Sequence, residues 1–206
     1  MFILDDICHT FMEILTMQKM EKHRCGWCKG DALYEAYHDL EWGVPVYDDE
    51  TIFEFLILET FQAGLSWITI LRKRENFRNA FDDFNYKKIA NYQQDKMDSL
   101  MQDAGIIRNK LKINATVTNA KMFMDIQKEF GSFSKYIWNF VDGKPLKNSL
   151  INYKEAPATT PLSDALSNDL KKRGFKFVGS TVMYAHMQAT GMVNDHEVGC
   201  FRYNEV

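Results

Sequence analysis

The chain has 206 residues, 46% of them apolar and 26% charged, which suits one substantial globular domain and excludes disordered, collagen-like and coiled-coil classes. Its four cysteines are too few for a disulfide-framed secreted scaffold, and no apolar run approaches the ~18 residues of a membrane span. The formal net charge of −3 argues mildly against a nucleic-acid module, although local distribution can overrule the sum.

The leading residues carry Asp5 and Asp6 and no early Lys or Arg, so they lack a signal peptide's positive region, and a soluble, reduced, cytoplasmic protein is expected. Residues 1–20 read as a helical extension, with Ile3, Leu4, Ile7, Phe11, Ile14 and Leu15 at three- and four-residue spacing. Met20 offers a second plausible start, and residues 21–206 form the expected single domain.

Asp48 and Asp49 precede an apolar helical run over Thr51–Phe61, the acidic start suiting the helix dipole. Gly64 interrupts it, and Ser66 can cap a second helix through about Phe81. Further helices are predicted over Asp95–Asp103, Asn109–Glu129 and Ser132–Phe140, with turns centred on Gly105 and on Gly143 to Pro145. Residues Asn148–Thr160 read as the longest loop. Thr160-Pro161 then opens a helix that closes in Lys171, Lys172 and Arg173 before Gly174, and Gly179–Thr190 ends similarly at Gly191. Period-two alternation is almost absent. The predicted class is all-α.

Cys25 and Cys28 form a Cys-x-x-Cys step, but a redox dithiol needs a strand before it and a helix after it, and a charged stretch precedes it instead. His196 and Cys200 are separated by three residues, a spacing seen in zinc sites, and Cys25 with His38, twelve residues between them, could supply a second pair. Each pair alone is weak, since a lone His or Cys is more often an ordinary buried residue. Four protein ligands would leave no open position, so such a metal would be structural.

Glu59 lies within Phe55–Phe61, where a solvent-facing position is hard to find. An unpaired buried carboxylate is costly, so it must be paired, protonated or used. The plain alternative is a polar stripe shared with Asp49 or Glu54, which fits poorly because Glu54 stands five residues back. Trp27, Tyr34, Tyr37, Trp42 and Trp67 cluster around the same regions; Trp42 reads as core. Rings with one carboxylate would suit a flat, cationic or amine-bearing ligand such as a nucleobase. From Gly105 to Lys121 there are four basic residues (Arg108, Lys110, Lys112, Lys121) and no acidic one, a locally positive stretch. A tight glycine turn there could aim backbone N–H groups at a phosphate; a merely solvated helix is the alternative.

Taken together, Arg24–Trp27, Leu33–Pro45, Gln62–Thr69, Arg74–Asn76, Gln102–Arg108, Ser163–Ser167, Lys171–Gly179 and Val193–Cys200 resemble the DNA-3-methyladenine glycosylase I family, an all-helical branch of the helix-hairpin-helix glycosylases. The resemblance runs from about residue 24 to 203. It implies excision of 3-methyladenine from double-stranded alkylated DNA, with the helix-hairpin-helix element near residues 95–129; a monomer is expected, because one footprint on DNA needs no symmetry partner. It also implies one structural Zn2+ on Cys25, His38, His196 and Cys200, with Glu59 as pocket carboxylate. Trp27, Tyr37 and Trp67 match rings enclosing the base, and Tyr34 a neighbouring tyrosine. Gly64 and Leu65 match the loop that fills the vacated stack, while Gly105, followed by Arg108, marks the turn gripping the lesion strand. Residues 1–20 have no family counterpart, and Cys28 is not a matched ligand.

Overall fold

The structure, a computed structural model, describes residues 22–206; the helix expected over residues 1–20 lies outside them. Nine α-helices occur among the described residues: α1 (Ala32–Leu40), α2 (Asp49–Gln62), α3 (Trp67–Ala80), α4 (Tyr86–Ile89), α5 (Gln94–Gln102), α6 (Lys110–Phe130), α7 (Phe133–Trp138), α8 (Pro161–Lys172) and α9 (Ser180–Ala189). The fold is thus mostly helical, with one element the all-α expectation lacked: β1 (Leu146–Lys147) and β2 (Val193–Asn194) pair in parallel.

α2 is apolar nearly all the way round, and it is accordingly the central helix, burying Ile52, Phe53 and every residue from Phe55 to Phe61. Asp48 starts it by accepting the Thr51 N–H at 2.8 Å. Helices α3, α6, α7 and α9 pack around it. The core they share is aromatic, with Phe53 edge-on to Phe123 at 5.0 Å and Phe61 edge-on to Phe77 at 4.9 Å. Truncating a ring such as Phe61 to alanine should cost about 3–5 kcal/mol. Asp49 joins the start of α2 to that of α7, accepting the Phe133 and Ser134 N–H groups at 2.9 and 2.7 Å.

Side-chain caps mark the other long helices. Asn109 accepts the Lys112 N–H at the start of α6, and Thr160 with Ser163 forms a reciprocal capping box ahead of Pro161. Ser66 stands at the cap position of α3, but its hydroxyl pairs with Thr69 Oγ1 at 2.8 Å instead of a backbone N–H. Gly64, at φ +86°, turns the chain between α2 and α3 in a conformation that disfavours a side chain.

α1 was not anticipated. Asp31 caps it by accepting the Leu33 and Tyr34 N–H groups, yet only Tyr37 and His38 are buried along it while Leu33 and Leu40 are exposed. Its apolar pattern is therefore too thin to announce a helix. It is held instead by Arg74 of α3, which pairs with Glu41 just past α1 and with Glu54 of α2, both at 2.6 Å.

Candidate active site and metal centre

A cavity of about 310 Å³ opens where α1, α2 and α9 meet the loop after β1. Trp27, Tyr34, Tyr37 and Trp67, four rings singled out in the sequence, all line it, and Glu59 and Gln62 of α2 complete that wall. Trp27 stands edge-on to Tyr34 at 4.8 Å, and Tyr37 lies 5.6 Å from Trp67. Such a size falls at the small end of ligand pockets, suited to one ring system.

Glu59 is 3% exposed, and its Oε2 has no hydrogen-bond partner among the described residues. The indole N–H groups of Trp27 and Trp67 likewise lack acceptors. Burial pushes the Glu59 carboxyl up to about 8, so at neutral pH it is mainly a neutral acid. Glu54, the supposed partner in a polar stripe, is instead engaged by Arg74 and Arg78. The stripe alternative thus fails. A buried carboxyl without a hydrogen-bond partner, in a ring-lined cavity with no cationic side chain among the residues lining it, is a site for an electron-poor or positively charged flat ligand.

Directly behind the Trp27 wall lie Cys25, His38, His196 and Cys200, all buried, with one ligand atom from each within 4.8 Å of the others. Cys25 Sγ is 3.5 Å from His196 Nδ1; Cys200 Sγ is 3.4 Å from His38 Nε2 and 3.6 Å from His196 Nδ1. Bond lengths of about 2.3 Å to sulfur and 2.05 Å to nitrogen in a tetrahedron require S···N edges of roughly 3.5 Å, so the donors fit such an ion. The opposite ring nitrogens are also fixed: His38 Nδ1 by Asp39 Oδ1 at 2.9 Å, and His196 Nε2 by the Trp42 carbonyl at 3.1 Å. Gly43 permits that approach, since a Cβ there would stand 3.0 Å from His196 Nε2. This group could hold a metal ion. Cys28 is excluded from it: its thiol points to the Cys25 carbonyl at 3.2 Å, and burial raises it to about 12. No disulfide links Cys25 and Cys28, and among the described residues no strand precedes them and no α-helix opens at Cys25, the next one starting at Ala32.

The segment between α2 and α3 projects from the cavity rim. Ala63 to Ser66 are exposed, and Leu65, 39% exposed, stands between Gln62 and Trp67, both cavity residues. The Gly105 turn lies between α5 and α6, with Arg108 exposed beside it. Gly105 N–H already donates to Asp103 Oδ1 at 2.7 Å, and the Ala104 and Gly105 carbonyls accept from Lys73. That amide is therefore spent on shaping the turn. One member of the basic stretch is misread: Lys112 is buried and turned inward, its ammonium donating to the Phe61 and Ala63 carbonyls, while Arg108, Lys110 and Lys121 remain exposed.

Sequence reasoning passed over several residues here. Trp42, read as core, lines the cavity and stands edge-on to His196 at 4.6 Å, joining the two sites. Asp195, Tyr184 and Gln188 form another wall, the carboxylate accepting from Tyr184 Oη and Gln188 Nε2 at 2.6 Å each. Only the proximity of Asp195 to His196 hinted at it. The turn from α8 to α9 carries exposed Lys176 and Phe177, the latter at φ +58°, and Asn119 grips the Lys176 peptide through both its N–H and its carbonyl. This strained, exposed aromatic lies just ahead of α9, whose Thr181 lines the cavity.

A family model described as methyladenine glycosylase matches residues 27–203. The chain is 50% identical over 180 residues to DNA-3-methyladenine glycosylase 1 of Escherichia coli (strain K12), covering 87% of this chain and 96% of that protein. A crystal structure of 3-methyladenine DNA glycosylase I superposes with a TM-score of 0.85 at 49% identity, over 87% of this chain and 98% of the other. A variant of such an enzyme solved in complex with 3-methyladenine gives 0.84 at 35% identity, over 86% and 96%. Among the described residues no helix is long and apolar enough to cross a membrane.

Proposed function

The chain belongs to the methyladenine glycosylase family, and from that premise we propose that it flips 3-methyladenine out of alkylated double-stranded DNA and hydrolyses its N-glycosidic bond. The observation that carries this reading is Glu59, a partnerless buried carboxyl facing a ring-lined cavity of about 310 Å³.

An N3-alkylated adenine nucleotide is cationic. When its glycosidic bond breaks, the bonding pair moves onto the base and cancels that charge, so the base departs neutral without prior protonation. Water supplies the oxygen that joins the sugar carbon, and its proton passes to solvent. The demand on the protein is thus to extract, hold and orient the base. Trp27, Tyr37 and Trp67 enclose its faces, and Tyr34 closes one side. Glu59 is assigned to the adenine edge. It is neutral in the free pocket; an incoming cation favours its ionised form, and the resulting attraction discriminates against uncharged bases.

Leu65, presented by Gly64, is the wedge that fills the vacated stack. The fold is read as a helix-hairpin-helix glycosylase fold acting as a monomer, with the backbone grip on the turn that Gly105 shapes and on Arg108, and an extension of it on Lys176 and Phe177. Cys25, His38, His196 and Cys200 would hold one Zn2+. Closed by four protein ligands, that ion supplies folding free energy and no reactive position.

Chromatography of bases released from methylated duplex DNA tests the reading. It requires 3-methyladenine to appear well ahead of uncharged bases. A folded, metal-loaded protein that binds the DNA but releases nothing would instead be a damage-binding module.

A further inference from the structure

Lys112 is a lysine on the second helix of the α5–α6 pair, and its side chain is 6% exposed. Its Nζ donates to the carbonyls of Phe61 and Ala63, each at 2.9 Å, and it forms an ion pair with no carboxylate among the described residues. Burying an uncompensated ammonium is costly, and the fold places this one where it has a use: against the negative end of α2. The two carbonyls it holds flank Gln62, a cavity residue, and they precede Gly64 and Leu65 directly. At its own end, the Lys112 N–H is capped by Asn109, the last residue of the Gly105 turn.

We infer that Lys112 is a positioning residue that links the α5–α6 turn to the Gly64–Leu65 loop, so that engagement of the duplex backbone and insertion of the wedge occur in one geometry. This rests on reading Leu65 as the wedge and the Gly105 turn as the backbone grip. Gly64, at φ +86°, is not packed against any other element: nothing stands within 4 Å of where its Cβ would be. The loop's other hydrogen bonds are local, among them Leu65 N–H to the Gln62 carbonyl and Ser66 Oγ to Thr69 Oγ1. Among the described residues the Lys112 ammonium is what ties the loop beyond α2 to another element, and it lies a single helical turn from the residues assigned to the backbone.

The role separates from a purely structural one by substrate. A wedge matters only where a stack must be refilled, in duplex DNA; neither single-stranded DNA nor free base needs it. Lys112→Met should lower 3-methyladenine release from methylated duplex roughly ten- to a hundredfold, the scale of a small misplacement. Release from methylated single strands, and the affinity for free 3-methyladenine read by tryptophan fluorescence, should stay within about twofold. Lys112→Arg, which keeps a cation able to donate to both carbonyls, should restore most of the duplex activity. If Lys112→Met does not fold, Lys112→Gln carries the same comparison.

On a Leu65→Gly background the Lys112→Met effect should vanish, because the element through which it acts is gone. Equal losses on duplex and single strand, or a loss undiminished on that background, would overturn the coupling and leave the wedge standing. Leu65→Gly alone leaving duplex release intact would remove the wedge itself.

Discussion

Cys25 and His196 are 171 residues apart in the chain, yet Cys25 Sγ and His196 Nδ1 lie 3.5 Å apart. Two residues past Cys25 is Trp27, and the carbonyl that fixes His196 belongs to Trp42; both rings line the cavity. The Cys/His group and the cavity therefore share a wall, so loss of a metal held there should be felt as loss of the cavity's shape.

Removing a ligand makes that measurable. Cys200→Ala should abolish stoichiometric zinc, measured by atomic emission, and destabilise the fold by about 3 kcal/mol. For a chain of this size the melting temperature should fall by roughly 6–12 °C. Cys28→Ser should keep the zinc. Full activity loss in Cys200→Ala at an unchanged melting temperature would contradict a structural role.

Glu59 has a signature in stability as well as in activity. Its carboxyl is raised from 4.5 in the unfolded chain to about 8 when folded. Below the unfolded value both states hold the proton and ionisation costs nothing. Between the two values the unfolded chain releases a proton that the folded one keeps, so stability falls as pH rises and levels off above about 8. The shift corresponds to roughly 5 kcal/mol at most. Glu59→Gln should therefore melt progressively higher than wild type between pH 5 and 8, and parallel melting curves would exclude this burial cost.

His186 has the opposite slope. Fully buried on α9, with neither ring nitrogen partnered among the described residues, it is lowered by desolvation from 6.5 to about 3. As pH falls below 6.5 the unfolded chain gains a proton that the folded one refuses, and stability declines toward pH 3, again by roughly 5 kcal/mol at most. His186→Leu should flatten that acid limb in pH-dependent denaturation. An unchanged limb would place a partner on the imidazole.

Arg108 is assigned to phosphate, so Arg108→Ala should weaken duplex binding uniformly across sequences. Each lost phosphate contact should reduce the slope of log K against log salt by about 0.9. An unchanged slope would free Arg108 from the interface.

Much of this arrangement is legible in the sequence where the cause is local. Asp48, Asn109 and Thr160 cap helices within a residue or two of the predicted starts, and the buried face of Glu59 follows from the unbroken apolar run around it. α1 is not legible, because tertiary ion pairs hold it more than its own apolar face does. The β1–β2 pair joins residues 47 apart through two positions each, too few to leave a pattern. Charge spacing along α6 counted Lys112 with its solvent-facing neighbours, because the packing of α2 decides which side is inside. The Cys/His group is the mixed case: spacing offered two weak pairs and the four-ligand set they could form, and the resemblance supported that set before the fold brought the donors together.

The most direct test of the pocket compares wild type with Glu59→Gln on methylated duplex DNA, reading released bases by chromatography while holding zinc content and melting behaviour in view. Free 3-methyladenine from wild type, and much less from a folded, zinc-loaded Glu59→Gln, is the expected result. Equal release from both would show that the buried carboxyl plays no part in excision.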